Sequence, residues 1–223
     1  MARQRSVFDI VGPVMIGPSS SHTAGACRLG ELARAIFAEN PVRARILLHG
    51  SFSSTGHGHG TDLALVAGLL GMRPDDVRLP RALEFAAEAG LAVEFAEADF
   101  GDAHPNTAQF ELTDAEDHTM CIRGSSLGGG DVVVTEIDCF EVELTGELPV
   151  LVVGHVDRPG EIAAVTSMLA ESDVNVASMH VSRERRGANA LMLIATDAPV
   201  DRVTVARIAK QPGVTSVRTV AAV

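Results

Sequence analysis

Val150-Leu151-Val152-Val153-Gly154-His155, followed at once by Asp157-Arg158-Pro159-Gly160, decides how the last third of this chain folds. The first run is apolar and reads as a strand, the second reads as a turn, and Pro159 then starts a helix with Ile162, Val165 and Leu169 on one face. Val174 to Ser182 and Ala188 to Thr196 read as two more strands around the polar turn Arg183 to Gly187. A second helix carries Val205, Ile208 and Ala209, Pro212-Gly213 turns the chain, and Val214 to Val220 forms the last strand. The order is βαββαβ, a ferredoxin-like unit of ordinary small-domain size.

Working back toward the N-terminus, Gly146-Glu147-Leu148-Pro149 is a turn-like tetrapeptide between two apolar runs, and it sets domains of 1–146 and 147–223. Charge divides the same way. The 223 residues carry a net charge of −11, yet residues 146–223 hold eight basic and eight acidic side chains, so all the excess lies before them. The N-terminal part mixes helix and strand, which makes the whole chain α+β. Its clearest helix is His22 to Glu39, with Leu29, Leu32, Ala33, Ile36 and Phe37 at buried-face spacing. Thr61 to Leu70 and Arg81 to Ala89 read as further helices. Ile46 to Phe52, Leu91 to Glu97, Gln109 to Thr113, Thr119 to Arg123 and Val132 to Leu144 read as strands, the last a pair broken near Asp138.

Composition excludes several classes. An acidic chain with eight Phe and no Trp or Tyr lacks both the basic surface and the stacking platforms of a nucleic-acid binder. No apolar run approaches the ~20 residues of a membrane span, and the N-terminus lacks the apolar core of a signal peptide. Three scattered cysteines, Cys27, Cys121 and Cys139, form no zinc ribbon or cluster-ligating run, and point to a reducing cytoplasm.

Three segments hold chemistry. Gly17-Pro18-Ser19-Ser20-Ser21-His22-Thr23-Ala24-Gly25 runs straight into the first helix, with more hydroxyls than a single N-cap needs. Ser51 to Asp62 contains Gly56-His57-Gly58-His59-Gly60-Thr61-Asp62, whose glycines supply no packing and let another molecule approach. An H-x-H pair without a third ligand suits acid/base chemistry better than metal binding. Gly124-Ser125-Ser126-Leu127-Gly128-Gly129-Gly130-Asp131 is either an anion-binding turn or a plain hairpin loop. His104-Pro105-Asn106 is a weaker candidate turn.

Ser6-Val7-Phe8-Asp9-Ile10-Val11-Gly12-Pro13-Val14, then Ile16 to Gly25, Gly56 to Asp62 and Ser126 to Gly130 in that order, resemble the motifs of the iron–sulfur-dependent L-serine dehydratases. The resemblance covers the whole chain: an N-terminal domain of the type also found as an allosteric substrate-binding domain in some phosphoglycerate dehydrogenases, then an ACT domain. Full-length members also carry an α portion with the cluster-binding cysteines, which is missing here, so the chain resembles the β subunit of the two-chain form. That implies conversion of L-serine to pyruvate and ammonia in serine catabolism and gluconeogenesis, with a [4Fe-4S] cluster ligated by a partner α subunit and no metal ligand in this chain. By motif match His59 is the expected base, His22 a second active-site histidine and Thr61 a positioning residue. Ser20, Ser21, Thr23, Ser126, Gly128, Gly129 and Gly130 are expected to hold the substrate. Asp157, Gly160 and Asn175 match the ligand loop and second strand of ACT domains, which also implies a homo-oligomer formed through that domain. The competing expectation is a non-catalytic, amino-acid-sensing regulatory subunit.

Pyridoxal phosphate enzymes hold the cofactor through a lysine Schiff base, and the single lysine, Lys210, sits beside Pro212-Gly213, away from every polar motif. Pyridoxal chemistry is therefore not expected.

Overall fold

In the computed structural model, which describes residues 14–223, strand β1 (Arg43–Leu48) organises the first sheet. Its Ala44 and Ile46 are buried while Arg43 and Arg45 are exposed, the alternation of a strand with one face on a core. It pairs in parallel with β2 (Ala92–Glu97) and antiparallel with β3 (Thr107–Thr113). Beyond β3 follow β4 (Thr119–Gly128), β5 (Asp131–Ile137) and β6 (Phe140–Leu144), giving the order β2-β1-β3-β4-β5-β6. The motif at 6–13 lies outside the described residues.

Helix α1 (Ala26–Phe37) buries Leu29, Leu32, Ala33, Ile36 and Phe37, the face expected from spacing. Its beginning differs from the expected helix, because Ser20–Gly25 forms a π-helical turn ahead of it, and Ala38 in the left-handed conformation ends it. Helix α2 (Thr61–Leu69) crosses α1 at two glycines. A Cβ on Gly68 would overlap the Cys27 carbonyl oxygen and lie 2.5 Å from the Glu31 nitrogen, and one on Gly30 would overlap the Leu65 carbonyl. Only glycine lets these backbones approach so closely. Helix α3 (Ala82–Glu88) and α2 both belong to the connection that a parallel β1–β2 pair requires.

Two expected strands are corrected. Ile46 to Phe52 is not one strand: β1 ends at Leu48, Gly50 reverses the chain at φ 58°, and Ser51–Ser54 and Gly56–His59 form two short helical turns. Thr119 to Arg123 is too short, since β4 runs on through Ser125 and Ser126 to Gly128. The glycine-rich segment is then a tight hairpin, with Gly128, Gly129 and Gly130 all at positive φ before β5 starts at Asp131.

The chain forms two compact units, Met1–Thr135 and Glu136–Val223, dividing within β5 rather than at the 146–149 turn. The difference is β6, whose buried Val142 and Leu144 lie in the second unit. There, β7 (Val150–Val156), α4 (Glu161–Glu171), β8 (Val176–Arg183), β9 (Asn189–Thr196), α5 (Arg202–Ala209) and β10 (Val214–Val220) reproduce the expected βαββαβ order. All pairs are antiparallel in the order β10-β7-β9-β8. Leu151, Val153, Met192 and Ile194 of the sheet pack against Val165 and Leu169 of α4 and Ile208 of α5.

Among the described residues no helix is long and apolar enough to cross a membrane. The cysteines differ sharply in environment. Cys27 is buried, donates to the Met72 carbonyl at 3.1 Å, and has its thiol pushed up to about 12 by burial and then by Glu31. Cys139 is exposed in the β5–β6 turn. Alkylation of the native chain, read by mass spectrometry, is expected to label Cys139 and leave Cys27 unmodified until denaturant is added.

Candidate active site

Ser19 caps the π-helical turn, its Oγ accepting from the His22 backbone N–H at 3.1 Å. That cap fixes where His22 points. Its ring meets Ser21 Oγ at Nδ1 (3.1 Å), and Ser51 Oγ (2.9 Å) and Thr55 Oγ1 (3.2 Å) at Nε2. The Phe52 ring stands edge-on to it at 5.4 Å between centroids. The His59 ring lies 5.1 Å away. Two segments separated by helix α1 and strand β1 thus bring both imidazoles to one place.

His59 itself is held by backbone. Its Nδ1 contacts the Thr55 carbonyl at 3.0 Å, and its own carbonyl accepts from Thr23 Oγ1 at 3.2 Å. Burial, and secondarily the neighbouring His59, hold the His22 imidazole below the usual histidine range. That favours the neutral form of His22, which suits a hydrogen-bonding group beside a base.

The other expected residues fall into groups. Ser21 and Thr23 join the histidine cluster directly. Ser20 lies in the same π-helical turn. Thr61 begins α2, but among the described residues its hydroxyl is buried without a partner, and it is the Thr55 carbonyl that meets the His59 ring. Ser126 is fully buried against Gly25, its hydroxyl also without a partner among the described residues. The Gly128–Gly130 hairpin is tied to α1 by Arg28 Nη1, which donates to the Gly130 carbonyl at 3.0 Å.

His104-Pro105-Asn106 adjoins this cluster. The Pro105 carbonyl accepts from the Ser51 N–H at 2.7 Å, and the Asn106 carbonyl from the Ser126 N–H at 3.0 Å. Ser51 and Thr55 were missed as site residues. Their signal was present: Ser51, Thr55 and His59 are spaced i, i+4, i+8, one face of a helical segment.

In the second unit, the Gly187 N–H and the Arg183 guanidinium, each 3.0 Å from Asp157, hold its carboxyl below the usual range. Asn175 Nδ2 donates to Asp197 Oδ2 at 2.7 Å. Gly160, at φ 96°, caps α4. Each expected ligand residue thus has a local structural task, and the structure links none of the three to another by a hydrogen bond.

Two family profiles match separate parts of the chain. The ACT domain profile matches residues 149–213, and the profile described as serine dehydratase beta chain matches residues 6–89. The chain is 42% identical over 219 residues to the probable L-serine dehydratase, beta chain, of Bacillus subtilis (strain 168), covering 98% of this chain and 99% of that one. The chain belongs to the serine dehydratase β-chain family. A second relative, the L-serine dehydratase beta chain of Peptoniphilus asaccharolyticus, is 36% identical over 196 residues, 87% of this β chain and 88% of the relative. The D-3-phosphoglycerate dehydrogenase of Methanocaldococcus jannaschii matches at 33% over 85 residues, 38% of this β chain and 16% of that enzyme.

Removing an orphan hydroxyl relieves a buried polar group. Ser126→Ala in this β chain is expected to leave the unfolding free energy unchanged or raised by up to about 1 kcal/mol, read by urea denaturation; a loss would show that Ser126 has a partner.

Proposed function

We propose that this β chain supplies the proton-transfer half of an L-serine dehydratase, converting L-serine to pyruvate and ammonia with a [4Fe-4S] cluster carried by a partner α subunit. The observation that carries the reading is the meeting of His22 and His59, from separate segments, 5.1 Å apart in a cluster of hydroxyls. The cluster's ligands are assigned to the partner because the residues here do not suit it. Cys27 is buried and bonded, Cys121 lies on β4 and Cys139 in a turn of the other unit. Among the described residues no group of three or more His, Cys, Asp or Glu is placed to hold a metal ion. Held by the partner, the cluster would act as a Lewis acid toward the substrate hydroxyl.

In this chain, His59 takes the proton from the α-carbon of L-serine, and loss of the β-hydroxyl leaves aminoacrylate, which hydrolyses to pyruvate and ammonia. His22 stays neutral beside the developing His59 imidazolium, so the two rings do not repel. Ser20 and the Gly128–Gly130 turn hold the substrate carboxylate. Ser126 is reached only if the π-helical turn moves, since Gly25 lies over it. Pyridoxal is not part of the reading: it needs a lysine Schiff base, and the single lysine, Lys210, lies exposed at the end of α5, beside none of the polar motifs in sequence.

A second reading, a non-catalytic amino-acid sensor, rests on the ACT domain. Anaerobic purification of the tagged chain, co-expressed with a cysteine-bearing partner, separates the two. A stoichiometric complex with cluster absorbance that releases pyruvate from L-serine supports the catalytic reading. Tight calorimetric binding of L-serine to the isolated chain, with no effect of the chain on turnover, supports the sensor.

A further inference from the structure

Every hydrogen in the histidine cluster can be placed from the chemistry of the groups that surround it. A carbonyl only accepts, so the 3.0 Å contact between His59 Nδ1 and the Thr55 carbonyl requires the His59 proton on Nδ1. Neutral His59 is then bare at Nε2. The Thr55 hydroxyl has one hydrogen, and it is spent on the Ser51 carbonyl at 2.9 Å. Toward His22 Nε2 and Ser51 Oγ, both 3.2 Å away, Thr55 Oγ1 therefore only accepts. The contact with His22 is favourable when His22 carries its proton on Nε2, which it shares between Ser51 Oγ and Thr55 Oγ1. The bare Nδ1 of His22 then accepts from Ser21 O–H, and Ser19 O–H donates to Ser21 Oγ at 3.3 Å. With this one arrangement no hydroxyl or imidazole nitrogen in the chain from Ser19 to Thr55 is left with two donors or two acceptors facing each other.

We propose that Thr55 is a positioning residue that sets the tautomers of both histidines, its carbonyl placing the His59 proton on Nδ1 and its hydroxyl placing the His22 proton on Nε2. The consequence is directional. Among the described residues nothing is hydrogen-bonded to His59 Nε2, whereas both His22 ring nitrogens have hydroxyl partners. His22 Nδ1 is blocked by Ser21, so protons enter the pair at His59. The catalytic consequence rests on the function proposed above; the tautomers themselves do not.

The test uses the full chain with ¹⁵N-labelled histidine, whose two-bond proton–nitrogen correlations identify which ring nitrogen is protonated in the neutral form. Wild type is expected to show His59 protonated on Nδ1 and His22 on Nε2. Thr55→Val keeps the carbonyl and removes the hydroxyl. It frees Ser51 O–H to donate to His22 Nε2, so His22 is expected to become a tautomer mixture while His59 is unchanged. Thr55→Ser is expected to restore the wild-type pattern. His59 protonated on Nε2 in wild type overturns the proposal whatever the enzyme's activity, and so does a His22 tautomer indifferent to Thr55→Val. In the complex with the partner chain, Thr55→Val is expected to lower kcat roughly ten- to hundredfold with KM little changed, and Thr55→Ser to recover it. Altered tautomers with unaltered kcat overturn the positioning role while leaving the serine dehydratase reading intact. Should Thr55→Val fail to fold, the wild-type and Thr55→Ser spectra still decide the His59 assignment.

Discussion

His59→Gln, assembled with the partner chain, is expected to lose roughly 10²- to 10⁴-fold in kcat, the contribution of a positioned general base. Glutamine can still donate an amide hydrogen to the Thr55 carbonyl, but it has no nitrogen lone pair able to take a proton from carbon. Fold is expected to hold within about 0.5 kcal/mol, because His59 is only half-buried and packs between glycines. The loss should therefore appear in turnover with the thermal midpoint unchanged. In the proposed mechanism His22 serves the same proton transfer as His59, so the His22→Gln, His59→Gln double variant is expected to be little worse than His59→Gln alone. Additive losses would mean that the rings serve separate steps.

Gly68→Ala is the substitution expected to harm the fold most for its size, by about 3 kcal/mol, read as a lowered urea midpoint. In an exposed helix the same change stabilises by about 1 kcal/mol. Here the added methyl meets the Cys27 carbonyl, the Glu31 nitrogen and the Gly30 carbonyl carbon, all backbone, so no rotamer change relieves it. The helices must separate, and Gly30 on the facing helix is packed equally tightly against Leu65. The consequence reaches the site, since the π-helical turn with His22 precedes α1 and His59 lies just before α2. Gly58→Ala is the control. Nothing lies within 4 Å of its added carbon, so its stability should change by less than about 0.5 kcal/mol.

Periodicity made the core legible. Leu29, Leu32, Ala33, Ile36 and Phe37 bury the face their spacing indicates, and the βαββαβ order of the second unit follows from its turns. The family motifs also named both histidines. What they could not supply is why those histidines meet. His22 and His59 converge because Ser51 and Phe52, which read as the end of a strand, turn instead into a helical segment anchored on the Pro105 carbonyl. Four glycines between residues 50 and 60 hid that segment, because glycine weakens any helical pattern. Thr55 went unnoticed for the same reason. Ser125 and Ser126 read as turn residues because glycines flank them, yet the turn needs only the positive-φ glycines that follow, and β4 takes the serines. The 146–149 turn marks a real change of pattern, but β6 before it is claimed by the second unit through long-range packing that no local signal reports.

The proposed function makes catalysis depend on groups in this chain, and pyruvate release by the anaerobically assembled pair tests that dependence most directly. With a cluster-loaded cysteine-bearing partner held constant, L-serine should yield pyruvate only when this chain is added, rising to saturation at one chain per partner. Equal turnover by the partner alone would contradict it.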